Sequence, residues 1–429
     1  MNAGKRNVRN RASIALVQGF SLVELMVAMV IGLIILIGVV QVFSSSSNTY
    51  RVDQGLSRLQ ENARFAMDTM EFQIRQAGNL GCLNAVPQNE VRNDLNAAGK
   101  SVKNYLTQGI MGFEYTNTNT APGSVFQPTA TTYHTNDTNV GDWTPNIDSS
   151  VFGMSGVASA GSPGGITPGT DAILIYHISG NPAPIMNNPT MDSATIHLTN
   201  GYTAPPVGTI AFVSNCSQAD IFQITSVSNG ASLTDITHSG SNTYSPGNSC
   251  ISWGNSNGCS SNISKYVPGS TALYTLTSSA FFVATDPNNA QDGPGLWEAT
   301  YPLTPNGSLT ATEIVHGVDN LQILYGVDRD ATAPPGQALR PDGIPELYET
   351  AAQVDANGEW QKVVTVRFSL LMSTTNVTGS ATDTTQDTGK YYLTGINNND
   401  STVVDESVVH DDLRRRVFTE TVSLRNRGQ

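Results

Sequence analysis

The chain has 429 residues, of which only 13% are charged, and a net charge of −13. A chain of this length can bury one large core or two modest ones, and an acidic balance repels phosphate backbones, so no nucleic-acid partner is expected. The low charge, with Gly, Ser, Thr and Asn filling the middle of the chain, points to many short strands joined by polar turns in an exported protein.

Lys5, Arg6, Arg9 and Arg11 stand ahead of an apolar run, and removing these four takes the net charge from −13 to −17. Between Ala12 and Tyr50 the only charged side chain is Glu24. Residues Phe20 to Phe43 would make a helix about 36 Å long, enough to cross a bilayer. Basic residues precede it and the bulk of the chain follows, which places the N-terminus in the cytoplasm and residues 44–429 outside. A secretory signal peptide should have an apolar region of about 7 to 15 residues closed by an A-x-A-like site, and neither condition is met. A plain one-pass anchor accounts for everything except Glu24, since a carboxylate costs roughly 2.5 to 3.5 kcal/mol at a bilayer centre. Glu24 therefore needs a partner.

The run Gly19-Phe20-Ser21-Leu22-Val23-Glu24-Leu25, behind its short basic leader, resembles the type IV prepilin signal. The resemblance implies that a prepilin peptidase cuts between Gly19 and Phe20, that the new amine of Phe20 is methylated, and that the apolar helix stays in the mature chain. Glu24 becomes the fifth mature residue, four along the same helix face from the new cation, or faces that cation on a neighbouring subunit. A buried carboxylate paired with an amine is tolerable where a lone one is not. Major pilins of the family usually bend their helix at a proline at mature position 22; here that position is Gln41 and no proline precedes Pro87, so Gly32, Gly38 and Gly55 are the weak points.

After Ser44–Ser47, apolar residues recur at Val52, Leu56, Leu59, Ala63, Met67, Met70, Ile74 and Ala77. Spacings of three and four predict one helical stripe, read as core, supported by a Glu71–Arg75 pair and stopped at Gly78 and Gly81. Residues 20–77 would then form one helix of about 87 Å. From Cys82 onward, short β-rich runs predict an antiparallel sheet domain: 171–178, 193–198, 208–213, 219–227, 280–285 and 362–372. Residues 116–170 have few large apolar side chains and read as a polar insertion. The expected fold is α+β: leader 1–19, membrane half-helix 20–43, amphipathic half-helix 44–81, and a β-rich body 82–429.

Several body segments, NLGC at 79–82, CSQADIFQITSV at 216–227, HGVDNLQILYGVD at 316–328 and RRRVFTETVSLRNR at 414–427, resemble the PilW type of minor pilin. That resemblance implies a non-enzymatic subunit that primes assembly of a type IV pilus and caps its tip. Its partners would be other minor pilins and the major pilin through the N-terminal helix, the prepilin peptidase, the inner-membrane assembly machinery and a tip adhesin. Its rivals are a minor pseudopilin of a type II secretion system and a membrane-anchored adhesin or DNA-uptake module.

Cys82, Cys216, Cys250 and Cys259 face an oxidising compartment in this topology, and two disulfides are expected. Of three connectivities, proximity favours Cys250 with Cys259, leaving Cys82 with Cys216. No CxxC spacing suggests zinc. Gly254-Asn255-Ser256-Asn257-Gly258 fits the G-x-S-x-G pattern of a hydrolase elbow, but it lies in turn-forming sequence without the strand and helix that motif requires. No ATP-binding or zinc-protease motif is present and no cofactor is implied. Asp328, Asp330 and Asp342, with Glu346, are hard-oxygen candidates for calcium, although the calcium-loop spacing is not met and a solvated acidic loop is the simpler reading. Arg414, Arg415, Arg416, Arg425 and Arg427 interleave with Val417, Phe418, Val422 and Leu424, the pattern of an edge strand with exposed arginines.

Overall fold

The computed structural model describes residues 21–82, 90–96, 108–116, 142–147, 166–186, 195–199, 202, 205–230, 233–240, 247–249, 266–286, 293–301, 310–329, 343–374, 390–394, 401–405 and 413–425. The chain falls into two compact units, Met1–Gln54 and Gly55–Gln429. One helix, α1 (Leu22–Gln76), runs on without interruption at Gly32, Gly38 or Gly55. It ends where expected: Gly78 takes a left-handed φ of 70°, open to a residue without Cβ, and its N–H donates to the Tyr176 carbonyl.

Among the described residues eighteen strands follow, with one short α-helix among them: β1 (Val91–Asn93), β2 (Ile110–Tyr115), β3 (Trp143–Thr144), β4 (Ala172–Pro184), β5 (Thr195–Thr199), β6 (Ile210–Ser214), β7 (Ala219–Gln223), β8 (Ser226–Asn229), β9 (Leu233–Thr237), β10 (Ala272–Thr285), β11 (Pro294–Tyr301), β12 (Thr310–His316), β13 (Val318–Val327), β14 (Leu347–Glu349), α2 (Ala351–Asn357), β15 (Val363–Ser373), β16 (Lys390–Thr394), β17 (Ser401–Asp405) and β18 (Arg415–Ser423). The largest sheet runs β1-β7-β6-β10-β4-β2-β3. β10 is long enough to pair with β4 along one edge and with β6 and then β11 along the other; β11 in turn pairs β12. A second sheet has the order β14-β13-β15-β18, a third β5-β9-β8, and β16 and β17 form a hairpin.

The large sheet is buried on both faces, which explains why its strands lack polar alternation. Along β6, Ile210 and Phe212 enter the main core with Leu59, Met70 and Ile74 of α1, whereas Ala211 and Val213 enter a second core with Ile196, Leu198 and Ile236 of the third sheet. Within the second compact unit, α1 buries Leu59, Ala63, Ala66, Met67, Met70 and Ile74. A large apolar side chain contributes roughly 1.5 to 3 kcal/mol when fully buried, and the two alanines permit close approach.

Three expectations change. The domain is not wholly antiparallel, because β1 pairs with β7 in parallel. The run 219–227 is two strands: Ile224 and Thr225 turn the chain from the large sheet into the third, and both parts read as apolar or β-branched, so no break showed in the pattern. The described parts of the supposed polar insertion belong to the core, where Trp143, Ile147 and Ile166 are buried and Trp143 Nε1 donates to the Thr170 carbonyl at 2.9 Å.

Candidate functional site

The candidate site is the N-terminal helix. Gly19 and Phe20 lie outside the described residues. From Leu22 to Phe43 every large apolar side chain is exposed, and α1 is the one helix among the described residues long and apolar enough to cross a membrane. Glu24 sits in the first turn, and its carboxylate accepts the Ser21 N–H (Oε2, 3.0 Å), while the Ser21 hydroxyl accepts the Val23 N–H at 3.2 Å. These bonds satisfy two backbone donors at the helix start, where a negative charge also favours the helix dipole. Glu24 thus has a partner at the start of its own helix. Its signal, Ser21 three residues before Glu24, is the S-x-x-E capping pattern and was open to sequence reading.

At the other end of α1, the expected Glu71–Arg75 ion pair forms. The helix is fixed to the body by the Cys82–Cys216 disulfide and by His177 of β4, whose Nε2 lies 3.1 Å from Gln73 Oε1. Cys82 stands just past the helix and Cys216 in the β6–β7 turn, with a left-handed φ of 64°. Cys250 and Cys259 lie outside the described residues, as does Ser256.

The acidic segment after β13 is not the solvated loop expected at Asp328. Asp328 is buried and its Oδ2 accepts the Gly343 N–H at 2.8 Å. Two nearby acids are met by cations, Arg329 bonding Glu349 (2.8 Å) and Glu359 (Nε, 2.7 Å) and Lys362 bonding Glu359 (2.8 Å), while Glu346 accepts the backbone N–H of Arg329. Against its burial, the bonds from Arg329 and Lys362 hold the Glu359 carboxyl below its ordinary value. Asp330 and Asp342 lie outside the described residues; among the described residues no group of three or more His, Cys, Asp or Glu is arranged to hold a metal ion.

The terminal arginines divide. β18 is an edge strand, as expected, but Arg415 is not exposed: its Nε lies 2.6 Å from Asp319 Oδ2, and both side chains are 1% exposed. Ser373 donates to the other Asp319 oxygen at 2.9 Å. The partner lies 96 residues upstream, out of reach of local pattern. Arg416 and Arg425 are exposed, and Arg427 lies outside the described residues.

A second acid pair, buried Asp171 and half-buried Glu114, had no sequence signal. Asp171 Oδ2 accepts the Ile323 N–H at 2.8 Å and Oδ1 the Tyr115 N–H at 3.4 Å, tying the large sheet to β13. Burial pushes the Asp171 carboxyl up to about 7. Burial and then the Asp171 charge push the Glu114 carboxyl well above its ordinary value.

Residues 15–40 match the prokaryotic N-terminal methylation motif, and residues 280–426 match the family model of type IV pilus-assembly protein W. Together they support a PilW-like pilin. No curated protein and no solved structure matches it. The motif covers the start of α1 with Glu24, and the PilW match runs from within β10 through β18, including the buried Arg415–Asp319 pair. These matches point to a structural protein rather than a catalyst. The apolar helix and its methylation motif fit a pilin anchored in the inner membrane.

Proposed function

We propose that this PilW-like pilin is a minor pilin, cut between Gly19 and Phe20 by a prepilin peptidase and methylated on Phe20. Residues 1–19 are the leader, 20–43 the membrane half of the helix, 44–81 its amphipathic half and 82–429 the periplasmic body. The mature subunit leaves the inner membrane when α1 joins the helices of other minor pilins and of the major pilin, and it primes assembly and caps the pilus tip. Glu24 aligns the incoming subunit by pairing with a Phe20 amine. The observation that carries this reading is an apolar helix with every large side chain exposed, placed directly behind a methylation motif and continuing into a body that matches PilW.

Mass spectrometry of the mature N-terminus tests processing: methylated Phe20 is expected, and an uncut leader would favour a fixed membrane-anchored module. Deleting the gene then tests the assignment. Loss of surface pili with normal protein secretion is expected, whereas the reverse would make the chain a type II secretion pseudopilin.

A further inference from the structure

β18 borders its sheet, with β15 on one side and, among the described residues, no strand on the other. The direction of its backbone groups can be read from its ends. Thr374 N–H donates to the Arg414 carbonyl and Leu424 N–H to the Val364 carbonyl, so even-numbered residues of β18 bond to β15. The N–H and C=O groups of Val417, Thr419, Thr421 and Ser423 therefore point along the sheet plane toward the open side.

Long, flat, unpaired edges invite strand pairing, and proteins usually blunt them with shortness, bulges, proline or lysine. Among the described residues the other edge strands are shorter, β5, β16 and β17 having five residues each. β14 has three residues, β1 three, β3 two and β8 four. The seven-residue β12 pairs with β11 through a register shift at Leu296/Trp297. β18 has nine residues, holds register with β15 from Ser423 through Arg415 without a shift, and contains neither proline nor lysine. Its exposed Thr419, Thr421 and Ser423 leave the approach free of bulky side chains. An edge of alternating donors and acceptors is matched along its length by another extended backbone. Charge narrows the occupant: Arg416 and Arg425 are exposed near the two ends of β18, whereas the one acid of the strand, Glu420, is half-buried and turned to Glu71 and Arg75 of α1. The basic edge suits an acidic strand.

We infer that β18 is an assembly edge, onto which an extended strand bearing acidic side chains from a neighbouring pilus subunit adds as the next strand of the β14-β13-β15-β18 sheet. This rests on the pilin reading above, and adds a second contact beside the α1 helix. Thr421 is the position to probe, because its backbone groups point away from β15 and its exposed side chain can be replaced with the internal ladder intact.

The test is photo-crosslinking in pilus-producing cells carrying the full chain, with a photoreactive phenylalanine analogue at Thr421 and, in a second strain, at Val30 in the apolar helix. Adducts to another pilus subunit from both positions are expected, with the Thr421 adduct falling at least tenfold when Thr419→Pro removes an edge N–H and the Val30 adduct unchanged. Adducts from Val30 with none from Thr421, or Thr421 adducts only to a protein outside the pilus, overturn the edge proposal and leave the pilin reading standing. Absence of adducts from both positions in processed chain removes the pilin reading with it. Should Thr419→Pro fail to accumulate, Arg416→Glu with Arg425→Glu serves instead, and an undiminished Thr421 adduct there overturns the acidic partner.

Discussion

The two halves of α1 are built for different surroundings. From Leu22 to Phe43 the helix is apolar all round and every large side chain is exposed, whereas from Leu59 to Ile74 a single stripe of six residues is buried and polar residues such as Arg64 and Asp68 occupy the outer face. A helix apolar all round needs a surrounding medium, lipid or other helices; a striped one is satisfied by its own domain. The difference separates what folds the subunit from what assembles it: changes in the striped half and its supports should act on stability, and changes in the first half on membrane residence and assembly.

The largest effect should come from releasing the far end of the striped half. Replacing Cys82 and Cys216 together with serine opens a loop closed across 134 residues and should cost about 5 kcal/mol in urea unfolding of the mature chain in detergent, without changing membrane fractionation. Next is the C-terminal strand under that half. Arg415→Met leaves the Asp319 carboxylate buried without its counter-charge and should cost about 4 kcal/mol in the same assay, whereas Arg416→Met, at an exposed position, should stay within about 0.5 kcal/mol. Equal effects would mean that the buried pair does not hold the strand.

The seam between sheets should respond to pH. Asp171 keeps its proton up to about 7 in the fold but loses it near 3.8 when unfolded, so between these values the folded chain holds the extra proton. Stability is then greatest below pH 4 on this account and falls as pH rises through about 7, by on the order of 3 kcal/mol between pH 5 and pH 8 for this group alone. Glu114, raised in the same direction, adds to the fall. Glu114→Gln should flatten the profile, and Leu33→Ala, in the apolar half, should leave its slope unchanged.

Much of this division was legible in the chain. The stripe, the stop at Gly78, the Glu71–Arg75 pair and the edge position of the arginine-rich strand follow from periodicity and local chemistry, and the Cys82–Cys216 pairing follows once proximity is used. What escaped depends on distant partners. Arg415 reads as one of three like arginines until Asp319 is placed beside it, and Asp328 reads as solvated until the Gly343 N–H is found over it. The parallel β1–β7 pair joins segments more than a hundred residues apart, beyond any hairpin signal. The capping bonds of Glu24 are the exception, because S-x-x-E is a local pattern that stands in the sequence.

That overlap makes Glu24 the finest test of the two halves. One carboxylate has two tasks to separate: accepting the Ser21 N–H, which any good acceptor can do, and, on the proposed processing, meeting the Phe20 amine that cleavage would create, which requires charge. Glu24→Ala removes both, and the lost cap should weaken the first turn by about 1 kcal/mol, too little to disturb insertion or cleavage. Glu24→Gln keeps an acceptor for Ser21 and discards only the charge. If assembly depends on the charge, both variants should be cut after Gly19 as efficiently as the parent and both should be depleted from sheared pili to a similar extent. Recovery of the glutamine variant in pili at parental levels would instead assign Glu24 to the helix start, and the membrane half would then assemble through its apolar surface alone.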